Sequence, residues 1–143
     1  MVTDVHDLLK MSQAQLDELF TNSPPGDIPE GQADGTAIVA PGTTYTKEIA
    51  DFVSVFAWQG KVFDSKKGYL KNRILPFGLN AIIAKVYKAP SWLDGKECIV
   101  LDYSETSILA HRIRDEIRQI GSGFYLGKVY WEKKRTIDFA LQF

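Results

Sequence analysis

The densest group of reactive side chains is Arg112, Arg114, Asp115, Glu116 and Arg118, with Ile113 and Ile117 set among them. In an extended chain alternate residues share a face, so Asp115 joins Ile113 and Ile117 while Arg114, Glu116 and Arg118 take the other side. Two readings follow. Either this is a solvated edge whose ion pairs add little stability, or Asp115 points inward and needs a buried partner such as an arginine or a tyrosine hydroxyl. Asp115 and Arg118 are three apart, so a joint role requires non-extended backbone around Glu116 and Ile117. Given that backbone, Asp115 would act as acid or base, Arg118 would hold a substrate carboxylate and Tyr103 would polarise it.

Asp102 and Tyr103 close the run Cys98-Ile99-Val100-Leu101-Asp102-Tyr103. Asp102 shares a face with Cys98 and Val100, and Tyr103 with Ile99 and Leu101, so one of the two should look into the fold. Tyr69, Tyr87, Tyr125 and Tyr130 fall on other expected strands. Tyrosines facing a barrel interior would give an apolar pocket a polar end, which makes Tyr87, Tyr125 and Asp102 ligand-binding candidates; each has core or rim packing as its alternative. Lys133-Lys134-Arg135 reads as a solvated turn tip.

No phosphate-binding glycine loop, zinc-protease helix or G-x-S-x-G elbow occurs. His6 and His111 are the two histidines; His111 reads as a surface or hydrogen-bonded residue, with haem ligation as its alternative. The lone Cys98 excludes an internal disulfide and cysteine-rich zinc sites, and reads as a small core residue or a reactive thiol. No metal and no cofactor are expected.

Several elements would have to position these residues. Ser12 and Gln15 form a capping-box pattern ahead of Leu16, Leu19 and Phe20, predicting a helix over 13–20. Prolines 24, 25 and 29 then make residues 21–34 a linker or an extended wrap. A strand over 35–40 follows. Ile49, Phe52, Val53 and Phe56 predict an amphipathic helix over 46–56 that caps one end of a sheet. From Trp58 onward, strands are expected over 58–63, 69–75, 80–88, 96–103, 124–131 and 136–143. Residues 108–114 are open between helix and strand, and 115–120 read as strand before the Gly121-Ser122-Gly123 turn. In the final strand Ile137, Phe139, Leu141 and Phe143 share one face, so Phe143 should be packed. Closing such a meander removes its edges.

At 143 residues the chain suits one core. Its net charge of −1 argues against nucleic acid as the main partner. Seven acids and one base, Lys10, fall within residues 1–34, whereas 35–143 hold eleven acids and sixteen bases. The acidic arm could fold back on the basic body, but an acidic helix surface is the preferred reading. No basic-then-apolar leader and no apolar run near the roughly 20 residues of a membrane span occur, so a cytoplasmic location is expected.

Trp58-Gln59-Gly60-Lys61-Val62-Phe63, Leu101-Asp102-Tyr103-Ser104, Arg114-Asp115-Glu116-Ile117-Arg118 and Tyr125-Leu126-Gly127 together resemble the small bacterial proteins named for a G-x-W-x-G motif, with their partner domain of unknown function. The likeness spans residues 58–143, although the full G-x-W-x-G does not occur. It implies a lipocalin-like (calycin) barrel and, by analogy, small-molecule binding. It singles out Trp58, Lys61, Asp102, Tyr103, Asp115 and Arg118.

The expected molecule is mainly β: an antiparallel calycin-like barrel of about eight strands over 35–143, an acidic helical arm and linker over 1–34, and one helix near a barrel end. The expected function is binding of a small, mostly apolar ligand inside the barrel. The rivals are a cofactor-independent lyase or isomerase acting on a small carboxylate-bearing substrate, and a regulatory or assembly protein docking through its acidic arm. A homo-oligomer is compatible with each.

Overall fold

The computed structural model describes residues 2–41, 58–74, 79–107 and 110–143, with the side chains at 58, 74 and 79–81 left aside. The helix expected over 46–56 lies outside the described residues. Two short helices, α1 (Val5–Leu9) and α2 (Gln13–Thr21), precede eight strands: β1 (Gly31–Ile38), β2 (Trp58–Asp64), β3 (Tyr69–Ile74), β4 (Leu79–Pro90), β5 (Glu97–Asp102), β6 (Ile113–Gly121), β7 (Phe124–Trp131) and β8 (Lys134–Gln142). Each strand pairs antiparallel with the next, and β1 pairs with β8, closing the barrel.

Both helices begin with a capping box. Ser12 and Gln15 cap α2 as the sequence suggests, and Asp4 with Asp7 caps α1, a helix not expected from the sequence. The first strand starts at Gly31 rather than Gly35, so the end of the linker joins the barrel wall. The strand expected over 115–120 is present as 113–121; of the segment left open between helix and strand, 113–114 are extended and 110–112 form a bend and turn.

The core has two parts on opposite sides of the barrel wall. Inside lie Phe63, Leu70, Ile99, Leu101, Ile113, Ile117, Ile137, Phe139 and Leu141. Outside, Leu8, Leu16 and Phe20 of the arm pack against Ile38, Cys98, Val100, Phe124, Leu126 and Ala140. The alternation read in β8 therefore holds, with its second face covered by the arm. Phe143 continues the inner row but remains 41% exposed, with its ring 5.6 Å from those of Phe63 and Tyr125.

Close approach requires glycine at positions 60 and 127. Gly60 sits at a bulge in β2 with φ +148°, and a Cβ there would overlap the Ala33 carbonyl. A Cβ on Gly127 would overlap the Phe139 ring, which lies across β7 inside the barrel.

Candidate functional site

Four inward-facing side chains from different strands converge in the barrel. Lys61 of β2 alternates with Phe63, Asn72 of β3 with Leu70, Asp115 of β6 with Ile113 and Ile117, and Tyr103 directly follows β5. All four are buried. Lys61 Nζ donates to Asn72 Oδ1 at 2.7 Å and to Tyr103 Oη at 2.7 Å, and lies 3.3 Å from Asp115 Oδ2. Tyr103 Oη donates to Asp115 Oδ2 at 3.2 Å and accepts from Asn72 Nδ2 at 3.0 Å. The ammonium also lies 5.3 Å from the centre of the Phe139 ring, within cation–π range.

A bulge in β4 completes the cluster. The register of β3 and β4 slips between Lys71 and Asn72, and Ile82 adopts φ 57°. That conformation is strained for a β-branched residue. It brings the Ile82 carbonyl to accept from Asn72 Nδ2 at 2.8 Å, which fixes the amide so that its oxygen faces Lys61.

Burial and pairing act in opposite directions on these groups. Burial pushes the Asp115 carboxyl above the ordinary aspartate value, against the pull of Lys61. Burial likewise pushes the Lys61 ammonium below the ordinary lysine value, against Asp115. Tyr103 is driven well above the ordinary phenol value, by burial and then by the Asp115 charge. The two shifts bring the proton affinities of Lys61 and Asp115 closer together than those of the solvated groups. Asp115 Oδ1 is buried and has no hydrogen-bond partner, an unusual state for a carboxylate oxygen.

The expected site residues separate into groups. Asp115, Tyr103 and Lys61 meet inside the barrel. Tyr125 also faces inward, but its hydroxyl donates to the Asp27 carbonyl at 2.8 Å and so ties the linker to the barrel. Trp58 begins β2 opposite Ile74; its side chain is not among those described.

Arg118 is a correction: extended backbone puts it on the outer face, away from Asp115 and Tyr103. It donates to Asp94 at 2.6 and 2.8 Å and to the Phe20 carbonyl at 2.9 Å, and so cannot hold a carboxylate inside the barrel. Asp102 and Tyr87 are also corrected. They pair with each other on the outer face at 2.7 Å, because Tyr103 takes the inward position at the end of β5. Ser104 holds Asp102 through its amide and hydroxyl.

The outer face of β6 is no solvated edge. Glu116 is fully buried and accepts from Ser91 Oγ, the Trp92 amide and Arg114. Lys128 pairs with Asp138 and with Asp17 of α2, each at 2.7 Å, and Asp17 also meets Arg135. The acidic arm thus uses Asp17 to dock on basic residues of the barrel.

Asn72 was missed. In Leu70-Asn72-Ile74 it breaks an apolar alternation, which is the signal that could have found it. Separately, a cleft of about 590 Å³ near the β2–β3 hairpin is lined by Val62, Asp64, Tyr69, Lys71, Ile83 and Thr106, among others, and by none of the expected site residues. Among the described residues no three His, Cys, Asp or Glu side chains gather in a metal-binding arrangement, and no helix is long and apolar enough to cross a membrane. Cys98 is buried, and burial raises its thiol to about 12.

No family model and no curated protein matches this chain. A crystal structure of a protein from Thermomonospora curvata superimposes with a TM-score of 0.65 at 17% identity, covering 92% of this chain and 87% of that one. At that identity the likeness shows a shared fold: this chain, an eight-stranded antiparallel barrel preceded by two short helices, is similar in architecture to that protein.

Proposed function

We propose that the barrel binds a small, mostly apolar ligand whose hydroxyl or N–H group donates to Asp115. The supporting observation is Asp115 Oδ1, a buried carboxylate oxygen with no partner, beside Lys61 and Tyr103 and among apolar walls. Leaving such an acceptor unsatisfied costs about 1–3 kcal/mol or more, and a ligand donor would recover that cost. We read the barrel as calycin-like, in keeping with the G-x-W-x-G resemblance over residues 58–143, and the protein as cytoplasmic.

The test is a fluorescence titration with N-phenyl-1-naphthylamine, an apolar dye carrying one N–H. Saturable binding at one site, weakened in Asp115→Asn, supports the reading. Absence of saturable binding in folded protein counts against it.

A second reading is a cofactor-independent lyase or isomerase. The continuous contact of Lys61, Tyr103 and Asp115 favours it, with Lys61 replacing Arg118 as the cation that holds a substrate carboxylate. Turnover that collapses in folded Asp115→Asn would select this reading over simple binding.

A further inference from the structure

We propose that Lys61 is a covalent site that forms a reversible imine with a small apolar aldehyde inside the barrel; the inference rests on the ligand-binding reading above. The geometry supplies each participant. Lys61 Nζ is buried against Tyr103 Oη at 2.7 Å and Asp115 Oδ2 at 3.3 Å, so a proton acceptor and a proton relay both touch the amine. The Phe139 ring, part of the buried apolar core, lies beside the same nitrogen with its centre 5.3 Å away.

The chemistry balances without any redox partner. Lys61 first passes one proton to Asp115, leaving a neutral amine and a carboxylic acid. The nitrogen lone pair attacks the carbonyl carbon, a C–N bond forms, and the C=O π pair moves onto oxygen. Tyr103 gives its proton to that oxygen and takes one from the nitrogen, producing a neutral carbinolamine. Asp115 then protonates the hydroxyl, the C–O bond breaks, and water leaves as the nitrogen lone pair forms C=N. The product is a protonated imine beside the Asp115 carboxylate, with the same net charge as the starting ion pair. Burial, which lowers the proton affinity of Lys61, gives its amine a nucleophilic fraction that solvated lysines lack at the same pH.

The solvated lysines elsewhere in the chain are an internal control, since mildly acidic buffer keeps their ammonium groups protonated and unreactive. The protein is incubated with cinnamaldehyde under those conditions, trapped with sodium cyanoborohydride and mapped by peptide mass spectrometry. The expected result is one adduct, on Lys61, blocked by saturating N-phenyl-1-naphthylamine. Asp115→Asn should slow trapping by roughly 100-fold, the usual loss for a positioned acid–base group. Lys61→Arg keeps a cation beside Asp115 and should abolish the adduct while dichroism shows an unchanged fold. Unmodified Lys61 in protein that binds the dye overturns the imine and leaves the ligand reading standing. Unmodified Lys61 in folded protein that also fails to bind the dye overturns both.

Discussion

Lys61 Nζ lies 3.3 Å from Asp115 Oδ2 across the barrel interior, and neither side chain is more than 5% exposed. Removing one partner leaves a buried charge without compensation, which costs about 3–5 kcal/mol, whereas apolar replacement of both is often neutral or stabilising. Lys61→Met and Asp115→Leu should each destabilise by that amount, and the double variant by far less than their sum. Urea denaturation of all four proteins measures this. Additive losses would show that the two side chains do not act as a pair.

Arg118 holds the Asp94 carboxyl below the ordinary aspartate value of 3.8, chiefly by hydrogen bonding to it. A carboxylate whose folded value is depressed adds stability that is complete above the unfolded value and is lost as pH falls through the folded one. The contribution of Asp94 should therefore be present at neutral pH and fade below about pH 4. Asp94→Asn is expected to cost about 2 kcal/mol at neutral pH and much less in acid. Denaturation midpoints at the two pH values give the comparison.

Leu16 and Phe20 of α2 are fully buried against the barrel's outer face. A helix of nine residues is not stable alone in water, so this contact, together with the Asp17 ion pairs, holds α2 in place. Leu16→Ala should lower stability by about 3 kcal/mol. Deleting residues 1–22 should expose the apolar face, seen as a lower melting temperature together with self-association or increased binding of an apolar dye. An unchanged melting curve and elution volume would contradict the packing of the arm.

The inner face of the barrel was the most legible part of the sequence. The alternation put Asp115 on one face with Ile113 and Ile117 but left an inward Asp115 and a solvated edge both open, and the same rule sent Arg118 to the opposite face once the backbone proved extended. In Asp102-Tyr103 alternation allowed one inward residue but did not choose between them. The outer face of β6–β8 was less legible, because a polar residue facing water and one facing a docked helix follow the same period of two. Lys128 and Asp138 are buried against Asp17 and Gln13 of α2, and Glu116 against Ser91 and Trp92 of the β4–β5 turn. The bulge at Ile82 has no glycine or proline to announce it, so the carbonyl that orients Asn72 could not be foreseen.

The β7–β8 hairpin turns through Glu132 and Lys133, both at positive φ, 48° and 72°. Two-residue hairpin turns of this kind favour asparagine and glycine, since other residues are strained there. Lys133→Gly should raise stability by about 1 kcal/mol, seen as a higher melting temperature. A lower melting temperature would contradict the turn geometry.

A thermodynamic cycle measures whether Asp115 accepts a hydrogen bond from a bound ligand. N-phenyl-1-naphthylamine and its N-methyl analogue, which lacks the N–H, are titrated against the native protein and Asp115→Asn. A hydrogen bond to a charged group contributes about 1.5–3 kcal/mol, so the native protein should prefer the N–H dye by about tenfold or more. In Asp115→Asn the amide oxygen would stay with Lys61 and the amide nitrogen would take the Oδ1 position, setting donor against donor. The preference should then vanish. Equal affinity of the native protein for both dyes, or a preference that survives in Asp115→Asn, would contradict the account.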